Sequence, residues 1–164
     1  MRKLILPVIT LLLLMLQPAV AKCQNTTIIL LRHAEKDTAA TDPTLSAAGF
    51  ARANKLQSAL AAYKPDMFYS TNYRRTRQTI TPWAAATGKE IMPYDPDALT
   101  AFAESLKKIK GKTIVVAGHS NTTPQLANKL LGNDKYQTLD DAVYNQIWII
   151  KLQEGKAADE VITY

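Results

Sequence analysis

Ile28-Ile29-Leu30-Leu31-Arg32-His33 and Ile114-Val115-Val116-Ala117-Gly118-His119-Ser120-Asn121 are two runs of mostly β-favouring apolar residues, each ending in a histidine. The chain has no other histidine. Apolar runs of this length, without alternation, suit strands buried on both faces, as in a parallel sheet covered by helices. In such sheets ligands bind beyond the carboxyl ends of the strands, where both histidines fall. Arginine precedes the first histidine. The second leads into Ser120-Asn121-Thr122-Thr123-Pro124, a helix-start sequence.

Outward from these runs, elements alternate. Thr26 to Leu31 reads as the first strand, followed by a polar stretch with a turn signal at Thr41-Asp42-Pro43. Ser46 is placed to cap a helix, with Leu45 and Phe50 as a hydrophobic staple. Phe50, Ala53, Leu56, Leu60 and Tyr63 give that helix one buried face. Gly49 inside it costs about 1 kcal/mol relative to alanine, which points to another backbone passing close by. After Pro65, Met67-Phe68-Tyr69-Ser70 is a short strand. Thr71 or Asn72 should cap the next helix, which runs to Gly88 and is kinked or divided at Pro82.

Ile91-Met92-Pro93-Tyr94 suits an edge strand because of its proline. Asp97 is placed to begin a helix with Leu99, Phe102, Leu106 and Ile109 inward. Thr113 to Ala117 is the strand that delivers His119. A helix with Pro124 in its first turn follows, capped by Thr122 or Thr123. Gln146 to Leu152 forms a strand, and Val161 to Tyr164 can pair with it across Glu154-Gly155-Lys156. The order predicts a three-layer α/β/α sandwich whose central sheet is mostly parallel with an antiparallel edge.

The first 21 residues read as a cleaved signal peptide. Arg2 and Lys3 form its positive head, Leu4 to Leu16 its apolar core, and Ala19-Val20-Ala21 its cleavage site. Lys22 occupies the place where a lipid-attachment signal needs a small residue, so lipidation of Cys23 is not expected. The expectation is export, to a bacterial periplasm or beyond, with no stable membrane anchor after cleavage. Residues 22–164 then form one domain with a single core. Loss of Arg2 and Lys3 lowers the formal charge from +6 to +4. With charges of both signs interspersed, that balance suits a small anionic substrate better than nucleic acid. A lone cysteine allows no internal disulfide. Oligomeric state is not legible.

Arginine forks onto phosphate oxygens and keeps its charge, so Arg32 beside His33 favours an anion over a cation. Two histidines are too few for a typical zinc site without carboxylate ligands, and no cofactor is expected. Asn72-Tyr73-Arg74-Arg75-Thr76-Arg77 places three arginines at a helix start, where the dipole prefers acidic residues. A bound anion offsets that repulsion, and helix N-termini hold phosphate well.

Leu31-Arg32-His33-Ala34-Glu35 resembles the Arg-His-Gly/Ala-Glu signature of the histidine phosphatase superfamily, which includes the cofactor-dependent phosphoglycerate mutases. The stretch from Ser70 to Thr79 is similar to its second motif, and Gly118-His119-Ser120-Asn121-Thr122 to its second histidine motif. The three stand in family order, and the resemblance spans roughly Thr26 to Leu152. It implies a phosphoglycerate mutase-like fold and a metal-independent phosphomonoesterase with His33 as the nucleophile. Arg32, Arg75 and a protonated His119 would hold the phosphoryl oxygens, and Asn121 would add a neutral donor. Arg75 occupies the family arginine's place, five residues after Ser70. The family's usual glutamate acid has no well-matched counterpart. Asp95 is the first choice for that role, with Asp97, Glu104 and Glu35 as alternatives. The substrate class expected is a small phosphorylated metabolite or an envelope sugar phosphate. A phosphohistidine or acyl-phosphate phosphatase is the alternative enzyme reading, and a non-catalytic phosphate-binding module the alternative from another class.

Overall fold

The computed structural model describes residues 25–38 and 41–164; the expected signal peptide and Cys23 lie outside the described residues. Six strands form one sheet in the order β3-β2-β4-β1-β5-β6. These are β1 (Thr26–Arg32), β2 (Met67–Ser70), β3 (Ile91–Pro93), β4 (Thr113–Gly118), β5 (Gln146–Gln153) and β6 (Lys156–Thr163). The first four pair in parallel, while β5 runs antiparallel to β1 and β6 antiparallel to β5. Four helices complete the fold: α1 (Ala47–Ala59), α2 (Arg74–Ala86), α3 (Leu99–Lys108) and α4 (Thr122–Leu131).

The three layers follow from the two-residue period of the strands. Ile29, Leu31, Val115, Ala117, Ile147 and Ile149 point to one face and pack with Leu56, Leu60, Ile80 and Trp83, from α1 with its C-cap and from α2. Ile28, Leu30, Ile114, Val116, Trp148 and Ile150 point to the other and meet Leu99, Leu106, Leu126 and Leu130 of α3 and α4. Because both faces are covered, every residue of β1 from Ile28 to Leu31 is fully buried. That burial requires a continuous apolar run. The expected sandwich, with its antiparallel edge, is the observed architecture.

The β1–β4 register decides what the sheet presents. Arg32 pairs with Gly118, and the His33 N–H donates to the Gly118 carbonyl at 2.9 Å. The two histidines therefore leave adjacent strands at one level. A Cβ on Gly118 would lie 2.8 Å from both Thr123 Oγ1 and Tyr94 Oη, so only glycine lets the strand pass between them.

Several local expectations resolve differently. Phe50 is 43% exposed and staples nothing, while Leu45 is buried with Ala34 and Ala53. Gly49 is the residue that faces inward there: a Cβ on it would sit 2.1 Å from the Glu35 carbonyl oxygen. Neither Thr71 nor Asn72 caps α2. Its N-cap is Tyr73, with no side-chain hydrogen bond, and the Arg74 N–H is accepted by Asp42, 32 residues upstream. Pro82 lies within α2 without dividing it. Asp95 rather than Asp97 opens the next turn, a 3₁₀ segment over Pro96–Ala98 from which α3 continues. Neither Thr122 nor Thr123 caps α4, whose N-cap is Asn121. Thr122 Oγ1 instead accepts the His119 N–H, and Thr123 Oγ1 donates to the Leu31 carbonyl.

The Gly49 contact gives a prediction opposite in sign to helix propensity. Alanine at an ordinary helical site gains about 1 kcal/mol, but overpacking costs about 1–3 kcal/mol or more, and a contact of 2.1 Å with backbone lies at the costly end. Gly49→Ala should lower the urea midpoint; a raised midpoint would mean the Glu35 strand exit yields freely.

Candidate active site

At the carboxyl ends of β1, β2 and β4 lies a cleft of about 490 Å³, with Arg32, His33, Arg75, Asp97, His119 and Asn121 in its walls. The structure thus brings together five of the six residues singled out for the site: Arg32, His33, Arg75, His119 and Asn121. It does not bring Asp95 there. The Asp95 carboxylate accepts the Asp97 N–H at 2.9 Å and is spent on opening the 3₁₀ turn. Glu35 is held by Arg52 through three contacts of 2.7–3.0 Å, and Glu104 pairs with Lys107 on the exposed side of α3. Of the four candidate acids, Asp97 is the one that reaches the cleft.

The imidazole rings of His33 and His119 stand edge to face with centroids 5.5 Å apart. His33 Nδ1 lies 2.8 Å from the Ala34 carbonyl oxygen. A carbonyl can only accept, so Nδ1 carries the proton and Nε2 keeps its lone pair. Burial pulls the His33 pKa down to about 3, assisted by the charges of Arg75, His119 and Arg32 and opposed by the Ala34 hydrogen bond. The ring is neutral across the physiological range. For His33 the chain provides an unprotonated, oriented nitrogen, the state a nucleophile needs.

The arginines are fixed by contacts that the sequence does not announce. Arg32 Nη1 donates to the carbonyls of Asp140 and Val143 at 2.9 and 2.8 Å and to Asp141 at 3.2 Å. Its guanidinium lies 4.2 Å over the Tyr144 ring. Arg75 lies 4.6 Å over Tyr73 and 3.7 Å from the Asp42 carboxylate. Nε of both arginines is buried without a hydrogen-bond partner among the described residues, which costs free energy. Thr79 joins the two halves of the site by donating to the Arg75 carbonyl and accepting the Ala34 N–H. Gln78 accepts the Leu45 N–H. The Gln78-Thr79 pair after the arginines therefore fastens the β1–α1 loop to α2. Among the described residues, no three or more His, Cys, Asp or Glu side chains gather as a metal-holding group.

Tyr73, Tyr144, Asp141, Asp42 and Thr71 were not legible as site residues. Tyr144, Asp141, Asp42 and Thr71 serve through contacts with residues 30 or more positions away, and Tyr73 meets the His119 ring at 5.1 Å as well as nearby Arg75; no local pattern encodes the distant contacts. Thr71 and Tyr73 carried a signal, since both stand between Ser70 and Arg75 in the second motif.

A sequence model described as histidine phosphatase superfamily (branch 1) matches residues 28–98, the part that contains Arg32, His33, Arg75 and Asp97. No curated protein sequence matches the chain. Solved structures share its fold. The protein histidine phosphatase SixA complexed with tungstate superposes with a TM-score of 0.68 at 14% identity, covering 84% of this chain and 96% of its own. A mycobacterial glucosyl-3-phosphoglycerate phosphatase gives 0.67 at 13%, covering 86% and 99%. A phosphoserine phosphatase mutant from Entamoeba histolytica gives 0.61 at 16%, covering 82% and 94%.

The expected cationic His119 belongs to the phosphate-bound cleft; the structure describes the cleft without an anion. Burial, then Arg75 and Arg32, pull the His119 pKa down to about 4, so it is neutral at pH 7, with Nε2 3.0 Å from Thr71 Oγ1. A dianion in the cleft opposes the field of the arginines and raises that pKa. Between the two values binding takes up a proton, so affinity rises as pH falls from the bound-state pKa toward the free-state value of about 4. Sulfate, which does not itself titrate near neutrality, is a suitable probe for calorimetry in buffers of different ionisation enthalpy. Near pH 6, binding should take up a substantial fraction of one proton; no uptake at any pH above 5 would mean His119 holds the anion as a neutral donor.

Proposed function

We propose that the chain is a member of the histidine phosphatase superfamily, whose sequence model matches residues 28–98, and that it is a metal-independent phosphomonoesterase working through a phosphohistidine on His33. The observation that supports this most is the His33–Ala34 hydrogen bond, which leaves Nε2 bare in a cleft bounded by two arginines. In the first step Nε2 attacks phosphorus in line. The N–P bond forms as the ester O–P bond breaks, and the leaving oxygen takes its proton from Asp97. In the second, water attacks the phosphohistidine; the P–N electrons return to Nε2, and the water's proton passes to the Asp97 carboxylate. Arg32, Arg75, His119 and the Asn121 amide hold the non-bridging oxygens, whose charge is greatest where preorganised donors matter most.

The substrate class is a small phosphorylated metabolite or an envelope sugar phosphate, because the leader read in residues 1–21 sends the chain out of the cytoplasm to the periplasm. Its closeness in fold and size to SixA, a protein histidine phosphatase, supports a second reading in which the phosphoryl group leaves from nitrogen and needs little acid assistance.

The test is turnover of p-nitrophenyl phosphate by the chain from Lys22 onward. We expect hydrolysis that persists in chelator and falls by at least about a thousandfold in His33→Ala, the scale on which loss of an essential nucleophile acts. Turnover unchanged in that variant would remove His33 from the chemistry. Asp97→Asn should slow alkyl phosphates by about a hundredfold and aryl phosphates far less, since an acid matters most to a poor leaving group. Equal losses on both would take the acid's role from Asp97.

A further inference from the structure

The cleft carries its charges in two tiers. On the floor, the side chains of Arg32 and Arg75 are only 5% and 15% exposed. Outside them stand two carboxylates, Asp141 at 3.6 Å from Arg32 Nη2 and Asp42 at 3.7 Å from Arg75 Nη1. The place of Asp42 has a structural reason, because it accepts the Arg74 N–H at the start of α2. That of Asp141 has none. Three backbone carbonyls and the Tyr144 ring already position Arg32. The Asp141 side chain is 99% exposed, and an ion pair with one partner wholly in water contributes little to stability. It nevertheless lines the cleft.

We propose that Asp141 is a specificity-determining residue: the cleft favours phosphate monoesters that carry an ammonium group near the ester and disfavours those that carry a carboxylate there. This rests on the phosphatase reading above. A phosphate dianion seated on Arg32 draws that guanidinium's charge inward and loosens its hold on Asp141. The carboxylate is then left at the mouth, facing the leaving group. An ammonium substituent replaces Arg32 as its partner, and a carboxylate substituent is repelled. The substrate that matches a cationic floor and an anionic rim is a zwitterion, phosphate inward and amine outward. Lys36, on the β1–α1 loop, also lines the cleft and acts in the opposite sense, so the preference reads the balance of the two.

Three phosphonates of matched length test this as inhibitors of p-nitrophenyl phosphate turnover: aminoethylphosphonate, neutral propylphosphonate and phosphonopropionate. The unmodified chain should bind the amine about fivefold or more tighter than the carboxylate at low salt, the scale of an exposed ion pair. The gap should close as salt rises, since exposed charges are screened. Asp141→Asn should remove most of it, Asp141→Lys should invert the order, and Lys36→Gln should widen it. Equal affinity for all three phosphonates in the unmodified chain, or an order unchanged in Asp141→Asn, overturns the proposal. Calorimetric titration of the same ligands reads the preference without turnover. Selective binding with no hydrolysis would end the phosphatase reading and keep the role of Asp141; hydrolysis with no selectivity would do the reverse.

Discussion

The parallel pairing of β1 with β4 is the constraint on which the rest depends. Its register sets Arg32 opposite Gly118, so both chains leave the sheet side by side and each exits on a histidine. A slip by one residue would turn Ile28 and Leu30 toward the helices that now cover Ile29 and Leu31. Both faces are apolar, so that exchange is not blocked by polarity alone; shape blocks it. Gly118 sits in contact range of Thr123 and Tyr94, and no residue with a side chain fits at that level. Packing chosen for the sheet thereby fixes the distance between two rings that the sequence places far apart.

Once convergent, the rings and the arginines define each other's state. Burial and the nearby guanidinium charges both disfavour protonation, and they hold His33 near 3 and His119 near 4. Neutral imidazoles beside buried cations leave a pocket with a net positive field and few internal counter-charges. Asp42 and Asp141 offset part of it from outside. Cations gathered at the end of a sheet break a local rule of charge placement, and such departures concentrate at functional sites.

Much of this was legible in the chain, for a physical reason. Strands covered on both faces must be apolar throughout, so Ile28 to Leu31 and Ile114 to Ala117 announce themselves, and motif residues at their ends locate the cleft. The edge position of β3 follows from Pro93 and the β5–β6 hairpin from its turn. Other features were missed. Asp42 caps α2 from across a loop, where local rules offered only Thr71 and Asn72; Asp95 closes a turn, where strand position suggested chemistry. Phe50 has the right spacing for a staple, but Gly49 is pressed against Glu35 and leaves Phe50 facing water. Contacts between separate segments decide the Asp42 and Gly49 cases, and periodicity carries no information about them; Asp95 is engaged by a local turn contact with the Asp97 N–H. The burial of His119 beside Arg75 and Arg32, which lowers its pKa in the anion-free cleft, is visible only in three dimensions.

The Ala34 carbonyl holds the His33 proton on Nδ1 and, in the proposed mechanism, leaves Nε2 as the nitrogen that reacts. Chromatography of the phosphohistidine isomers, after alkaline quench and digestion of the chain phosphorylated by an activated phosphate donor, tests this. Phosphate is expected on His33 Nε2. Phosphate on Nδ1, or on a residue other than His33, would contradict it.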